Sequence, residues 1–243
     1  MTKKTIMIFF IIALVMLLIY VITFIGSEDH GPYYSYNNIR TKLKTGDIIL
    51  FTCNPTSIIE KILYNIRTRL IGSKYGHAGI VILGNNNKLY LLECIPFDHC
   101  EKMHSKYCGE SVRVINLEKI LESYSTKYGG TFAVKFISKS IPNAIVAKHL
   151  KKYRNVLFED SATVCLLAVT DILVSHDLAK DIAAECDPNR MICTEFLHSI
   201  LRDCNVLKRY PSKLLWPHKF VDGELNKLEI TSYSDPVQFV LSN

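Results

Sequence analysis

A histidine inside an apolar strand, a glutamate closing the next strand and a cysteine opening a helix are the residues of this chain best suited to nucleophilic chemistry. The histidine is His77, in Gly76-His77-Ala78-Gly79-Ile80-Val81-Ile82, where small neighbours leave space around its ring. The glutamate is Glu93, in Leu91-Leu92-Glu93-Cys94. A carboxylate there can accept a hydrogen bond from one ring nitrogen, which fixes the tautomer and supports the charged imidazolium. The cysteine is Cys193, in Met191-Ile192-Cys193-Thr194-Glu195-Phe196. Backbone N–H groups at a helix N-terminus stabilise a thiolate, a nearby imidazolium adds to this, and the same N–H groups can hold an oxyanion. Each residue alone has an ordinary reading as a core histidine, a solvated glutamate or a packed cysteine. Together they suit thiol attack on a carbonyl. Asp47 is a secondary polar candidate, better read as a turn former after Gly46.

To bring these residues together the chain must supply a hairpin and a helix. Thr45-Gly46-Asp47 marks a turn, and Ile48 to Phe51 is a short apolar run that predicts a buried strand. Asn54-Pro55-Thr56-Ser57 offers a helix start, and Ile58, Ile59, Ile62, Leu63, Ile66 and Leu70 recur at helical spacing up to Gly72. Ala78 to Leu83 and Lys88 to Cys94 are β-rich runs joined by Gly84-Asn85-Asn86-Asn87, which reads as a hairpin. In that hairpin His77 and Glu93 fall near the same end. Residues 95–112 form a polar loop, and Val112 to Leu117 and Thr131 to Ile137 are further strand candidates. Helices are predicted from Pro142 and Asn143 to Leu157, over Thr163 to Val174 as an element buried all round, and over Met191 to Cys204. The tail, Leu228 to Leu241, suggests a closing strand or two. Strands, then helices, then strands indicate an α+β domain.

The string Thr45-Gly46-Asp47-Ile48-Ile49-Leu50-Phe51, then a helix, then Gly76 to Leu83, Leu89 to Cys94 and much later Ile192 to Leu197 resembles the circularly permuted branch of the NlpC-type papain-like hydrolases. YiiX-like amidases and lecithin retinol acyltransferase relatives belong to that branch. Its mark is order: the histidine strand precedes the cysteine helix. The resemblance spans roughly residues 44–220 and implies a permuted papain-like α+β fold with an antiparallel sheet and packed helices. It implies Cys193 as nucleophile, His77 as base and Glu93 as the third polar residue. The reactions implied are attack on amide, ester or thioester bonds of a lipid, peptide or other acyl substrate, without metal or organic cofactor. The long stretch between Glu93 and Cys193 departs from the pattern and holds a helical insertion near 140–185.

Composition bounds the setting. The chain has 243 residues, of which 49% are hydrophobic and 21% charged, a globular balance that suits one domain. Its net charge of +6 is spread along the chain, with no basic run or finger spacing, so no nucleic acid is expected as a partner. Ile6 to Ile25 is an apolar run interrupted only by Tyr20 and Thr23, long enough to span a bilayer. Phe24 and Ile25 stand where a cleaved signal would want small residues, so residues 1–25 read as a single transmembrane anchor and 26–44 as a tether. The catalytic domain is then 45–243. Lys3 and Lys4 on one flank and Arg40, Lys42 and Lys44 on the other leave the membrane face open, as the sequence leaves the oligomeric state.

Two rival readings come from other classes. Cys94, His99, Cys100, His104 and Cys108 cluster within fifteen residues, as in a zinc-stabilised membrane module, though their spacing matches no established Cys-x-x-Cys pattern. The other is an inactive membrane-anchored descendant that keeps the cleft only for binding.

Overall fold

The computed structural model describes residues 33–52, 73–95, 111–210, 212–221 and 227–241. These form an α+β unit around a mixed sheet. Its strands are β1 (Tyr34–Ser35), β2 (Ile48–Thr52), β3 (Tyr75–Leu83), β4 (Leu89–Cys94), β5 (Val112–Asn116), β6 (Phe132–Lys135) and β9 (Val237–Val240), in the order β1-β9-β6-β2-β3-β4-β5. A separate pair joins β7 (Leu157–Phe158) to β8 (Arg190–Met191). The helices are α1 (Tyr36–Arg40), α2 (Leu117–Tyr128), α3 (Asn143–Tyr153), α4 (Ser161–Val169), α5 (His176–Glu185) and α6 (Cys193–Asp203).

Alternation along the strands divides the core in two. Leu50, Ala78, Ile80, Leu92 and Val112 face one side, where α6 covers them with Phe196, Leu197, Ile200 and Leu201. Ile49, Phe51, Val81, Leu91, Ile115 and Phe132 face the other, covered by Leu117, Ile120 and Leu121 of α2 and by Tyr36 and Ile39 of α1. At Gly79 a Cβ would lie 2.8 Å from the Leu91 side chain, so the missing side chain is what lets the leucine sit over β3. One irregularity matters for the site. Phe51 pairs with His77 but Thr52 pairs with Tyr75, so β3 carries an extra residue, Gly76, at this point. The bulge reverses the alternation: Tyr75 joins the α6 side of the core, whereas His77 shares the face of Phe51.

Several expectations need correction. The sheet is not wholly antiparallel, because β1 pairs with β9 in parallel, as β7 does with β8. The segment expected as tether is partly built in: beyond Tyr33 it forms β1 and α1, and Tyr36, Ile39 and Leu43 are buried at helical spacing. The helix expected to reach Leu157 stops at Tyr153, because Leu157 and Phe158 are drawn out to pair with Arg190 and Met191. For the same reason α6 starts at Cys193, not Met191. The apolar element at 163–174 is α4 followed by a wider turn over Thr170–Val174. It is not buried all round: Leu167 and Ala168 pack on Ala179, Ile192 and Trp216, while Leu166, Val169 and Val174 are exposed. Helices α2 and α5 were not foreseen. The first has a legible signature: the Asn116 side chain caps the Lys119 N–H at 3.0 Å, Leu117, Ile120 and Leu121 make the apolar stripe, and Gly129 ends it at φ 54°.

The apolar run at 1–25 and the helix expected over 58–70 lie outside the described residues. Among the described residues no helix is long and apolar enough to cross a membrane.

Candidate functional site

By regular alternation along β3, His77 shares the face of Gly79 and Val81, the face on which Glu93 of β4 and Arg113 of β5 also lie. Glu93 stands on β4 directly opposite Arg113 on β5. Its carboxylate has no solvent exposure and both oxygens are used. Oε1 accepts from Arg113 Nε at 2.7 Å and pairs with Nη2 at 2.6 Å, while Oε2 lies 2.6 Å from His77 Nε2. Burial alone would raise the pKa of Glu93, but His77 and Arg113 outweigh it and hold the carboxyl below its ordinary value. This carboxylate is therefore an anion inside the protein, stabilised by two cations.

Cys193 arrives from the third element. It is the first residue of α6, whose N-terminus carries no side-chain cap, and it is buried. Its thiol hydrogen-bonds the His77 ring. With Nε2 committed to Glu93, Nδ1 is the ring nitrogen left to meet the sulfur. Burial works against a charge on His77, but the hydrogen bonds and charges of Cys193 and Glu93 reverse it and raise the pKa to about 9. At neutral pH the imidazole accordingly holds a proton, and the thiolate beside it is favoured in turn. The helix N-terminus adds partial positive charge and backbone N–H donors at the same point.

The structure thus brings His77, Glu93 and Cys193 into one hydrogen-bonded line from two strands and a helix. It adds Arg113, which sequence reasoning missed, although a lone arginine in the strand Val112-Arg113-Val114-Ile115 opposite Glu93 was a usable signal. Two rings pack against one side of the histidine as well. Phe51, its partner on β2, lies 5.3 Å away between centroids, and Tyr124 of α2 lies 6.2 Å away at an interplanar angle of 12°. Near the start of α6, Lys213 joins Glu159 at 2.9 Å and the carbonyl of Arg190 at 2.8 Å, tying down the loop that leads into Cys193.

Asp47 is not part of this group. It sits at the far end of β2, where Oδ1 accepts from the Ile137 N–H and Oδ2 from the Lys44 N–H, each at 2.8 Å. It is a fastening of the backbone, in line with its reading as a turn former. Of the Cys94 to Cys108 cluster, only Cys94 lies among the described residues. Cys94 is buried, with its sulfur 3.8 Å from the Met191 carbonyl.

No family model matches the chain. It is, however, 41% identical over 215 residues to an uncharacterized protein of Acanthamoeba polyphaga mimivirus, the match covering 85% of each chain. At that identity and coverage the two share more than isolated motifs, and the chain belongs to the same family as this mimivirus protein.

Proposed function

We propose that this chain is a membrane-anchored cysteine hydrolase or acyltransferase of the permuted papain-like kind, acting on an amide, ester or thioester bond. The observation that carries this reading is the line Cys193–His77–Glu93, in which a thiol at a helix N-terminus meets an imidazole whose other nitrogen is fixed by a buried carboxylate. His77 takes the Cys193 proton, and the thiolate attacks the carbonyl carbon. Negative charge moves to the carbonyl oxygen, which the N–H groups at the start of α6 are placed to receive. Collapse of that intermediate breaks the bond to the leaving group, which departs with the proton held by His77 and leaves a thioester on Cys193. Water then gives up a proton to His77 and attacks the thioester, releasing the acid; an alcohol or amine in its place gives transfer. Glu93 balances the imidazolium throughout and Arg113 fixes Glu93. The apolar run Ile6 to Ile25 supports a bilayer as the site of action.

The test is trapping. The full chain, held in detergent, is incubated with lipid and peptide extracts, and the Cys193 peptide is searched by mass spectrometry for an acyl adduct. An adduct absent from Cys193→Ala is expected. Full activity in Cys193→Ala ends the proposal.

A further inference from the structure

The histidine stands at the end of an aromatic row. Across the sheet, Phe239 pairs with Phe132, Phe132 with Phe51 and Phe51 with His77. Successive ring centroids lie 5.4, 5.5 and 5.3 Å apart. Tyr124 comes down from α2 onto the last step of this row, 4.8 Å from Phe51 and nearly parallel to the imidazole. Glu93 and the Cys193 sulfur hold the imidazole at its two nitrogens, and two hydrogen bonds in the ring plane leave it free to tilt about the line that joins them. Phe51 and Tyr124, themselves 4.8 Å apart, back the imidazole from one side and oppose that tilt. Aromatic faces also carry negative quadrupolar charge, which attracts a cation within about 6 Å of the ring centre.

We infer that Phe51 and Tyr124 are positioning residues: they clamp the His77 ring in register with the Cys193 sulfur and favour its protonated form. This rests on the reading of His77 as the partner of a reactive thiol. The charges that face the ring come from Glu93 on β4 and from Cys193 on α6, with Arg113 on β5 drawing on the far oxygen of Glu93. Against that background the clamp acts in a defined direction. Weakening it destabilises the imidazolium, so the imidazole loses its proton at lower pH and the thiol needs higher pH to lose its own. The pH window of the reactive ion pair narrows from both sides. Simple loss of folded protein would lower the height of the profile and leave its limbs in place.

The experiment follows the alkylation of Cys193 by iodoacetamide in the full chain, read on its own peptide by mass spectrometry, from pH 4 to 10. Iodoacetamide reads the acid limb, because the thiolate goes on reacting after the imidazole has lost its proton; Tyr124→Leu is expected to move that limb to higher pH and to slow alkylation at pH 6 by roughly three- to tenfold, whereas Tyr124→Phe keeps it in place. Replacing Tyr124 by pentafluorophenylalanine keeps the ring shape but reverses its quadrupole, and it should move the acid limb as Tyr124→Leu does; this arm stands even if the leucine variant does not fold. Should these variants superpose on wild type while His77→Ala does not, the clamp is wrong and the thiol–imidazole reading survives. A His77→Ala profile identical to wild type would overturn both.

Discussion

Two carboxylates, Asp47 and Glu93, are equally shut off from water, at 0% exposure each, yet the protein holds them in opposite ways. Burial pushes the Asp47 carboxyl up to about 6, and the two backbone N–H groups it accepts from only soften the effect. Glu93 meets the same burial but faces a guanidinium and an imidazolium, and its carboxyl is held below the ordinary range. The difference lies in the partners. Two peptide dipoles can hold a carboxylate in place, whereas two full charges also compensate the water it has lost. The first arrangement fastens a turn. The second holds a full negative charge against the His77 ring.

Removing either side chain tests the contrast. Glu93→Ala should have the largest effect, because it leaves the Arg113 charge buried without its partner; a loss of roughly 3–5 kcal/mol is expected in chemical denaturation. The reactive plateau of Cys193 alkylation should go with it. A much smaller loss would mean that Arg113 finds water once Glu93 is gone. Asp47→Ala comes next. It orphans one buried and one half-buried N–H group, those of Ile137 and Lys44, for a loss of about 2–3 kcal/mol, but the acid limb of the alkylation profile should not move. A shift in that limb would place Asp47 in the site after all.

Glu93→Gln separates hydrogen bonding from charge. The amide can still hold the ring but cannot balance its charge, so turnover should fall roughly ten- to a hundredfold, well short of the ten-thousandfold cost in a serine-type triad. A thiol is the more acidic nucleophile and asks less of its base. A Glu93→Gln enzyme as dead as Cys193→Ala would show that charge is the whole of the glutamate's role.

The smallest effect is in stability against pH. Both Asp47 and His77 have folded pKa values above their unfolded ones, so each contributes stability that is complete below the unfolded value and lost as pH rises through the folded value. For Asp47 that window runs from 3.8 to about 6, and for His77 from 6.5 to about 9. Denaturation midpoints of the wild type should step down across both windows. Asp47→Asn should erase the lower step alone, and His77→Ala the upper.

How much of this was legible depended on whether a residue's partner was near in sequence. The hairpin of β3 and β4 could be read from its turn, and with it the placing of His77 and Glu93 at one end. Cys193 could be read as a helix start from Ile192, Phe196, Ile200 and Leu201, although the helix begins two residues later than periodicity suggested. Arg113 and Tyr124 were missed because their partners are set by strand register and helix packing. Those depend on α2, whose Asn116 cap and Leu117-Ile120-Leu121 stripe were passed over. Gly76 looked like mere space beside a histidine. Only the pairing of Thr52 with Tyr75 reveals it as a bulge, which turns Tyr75 to the α6 side and leaves His77 on the face of Phe51. The parallel joining of β1 to β9 has no local signature at all, since Tyr34 and Phe239 are two hundred residues apart.

That seam has a kinetic consequence. The β3–β4 hairpin closes over a few residues, so a loop of small entropic cost brings Glu93 beside the strand of His77 early in folding. Cys193 must cross a hundred residues to join them, and the row of rings behind His77 is complete only when Phe239 is laid between β1 and β6. His77 and Glu93 are therefore paired while Cys193 is still an ordinary thiol, and on the function proposed above the reactive thiol is the last part of the site to form. In a refolding experiment with pulsed alkylation, the fast-reacting form of Cys193 should appear in the slowest phase.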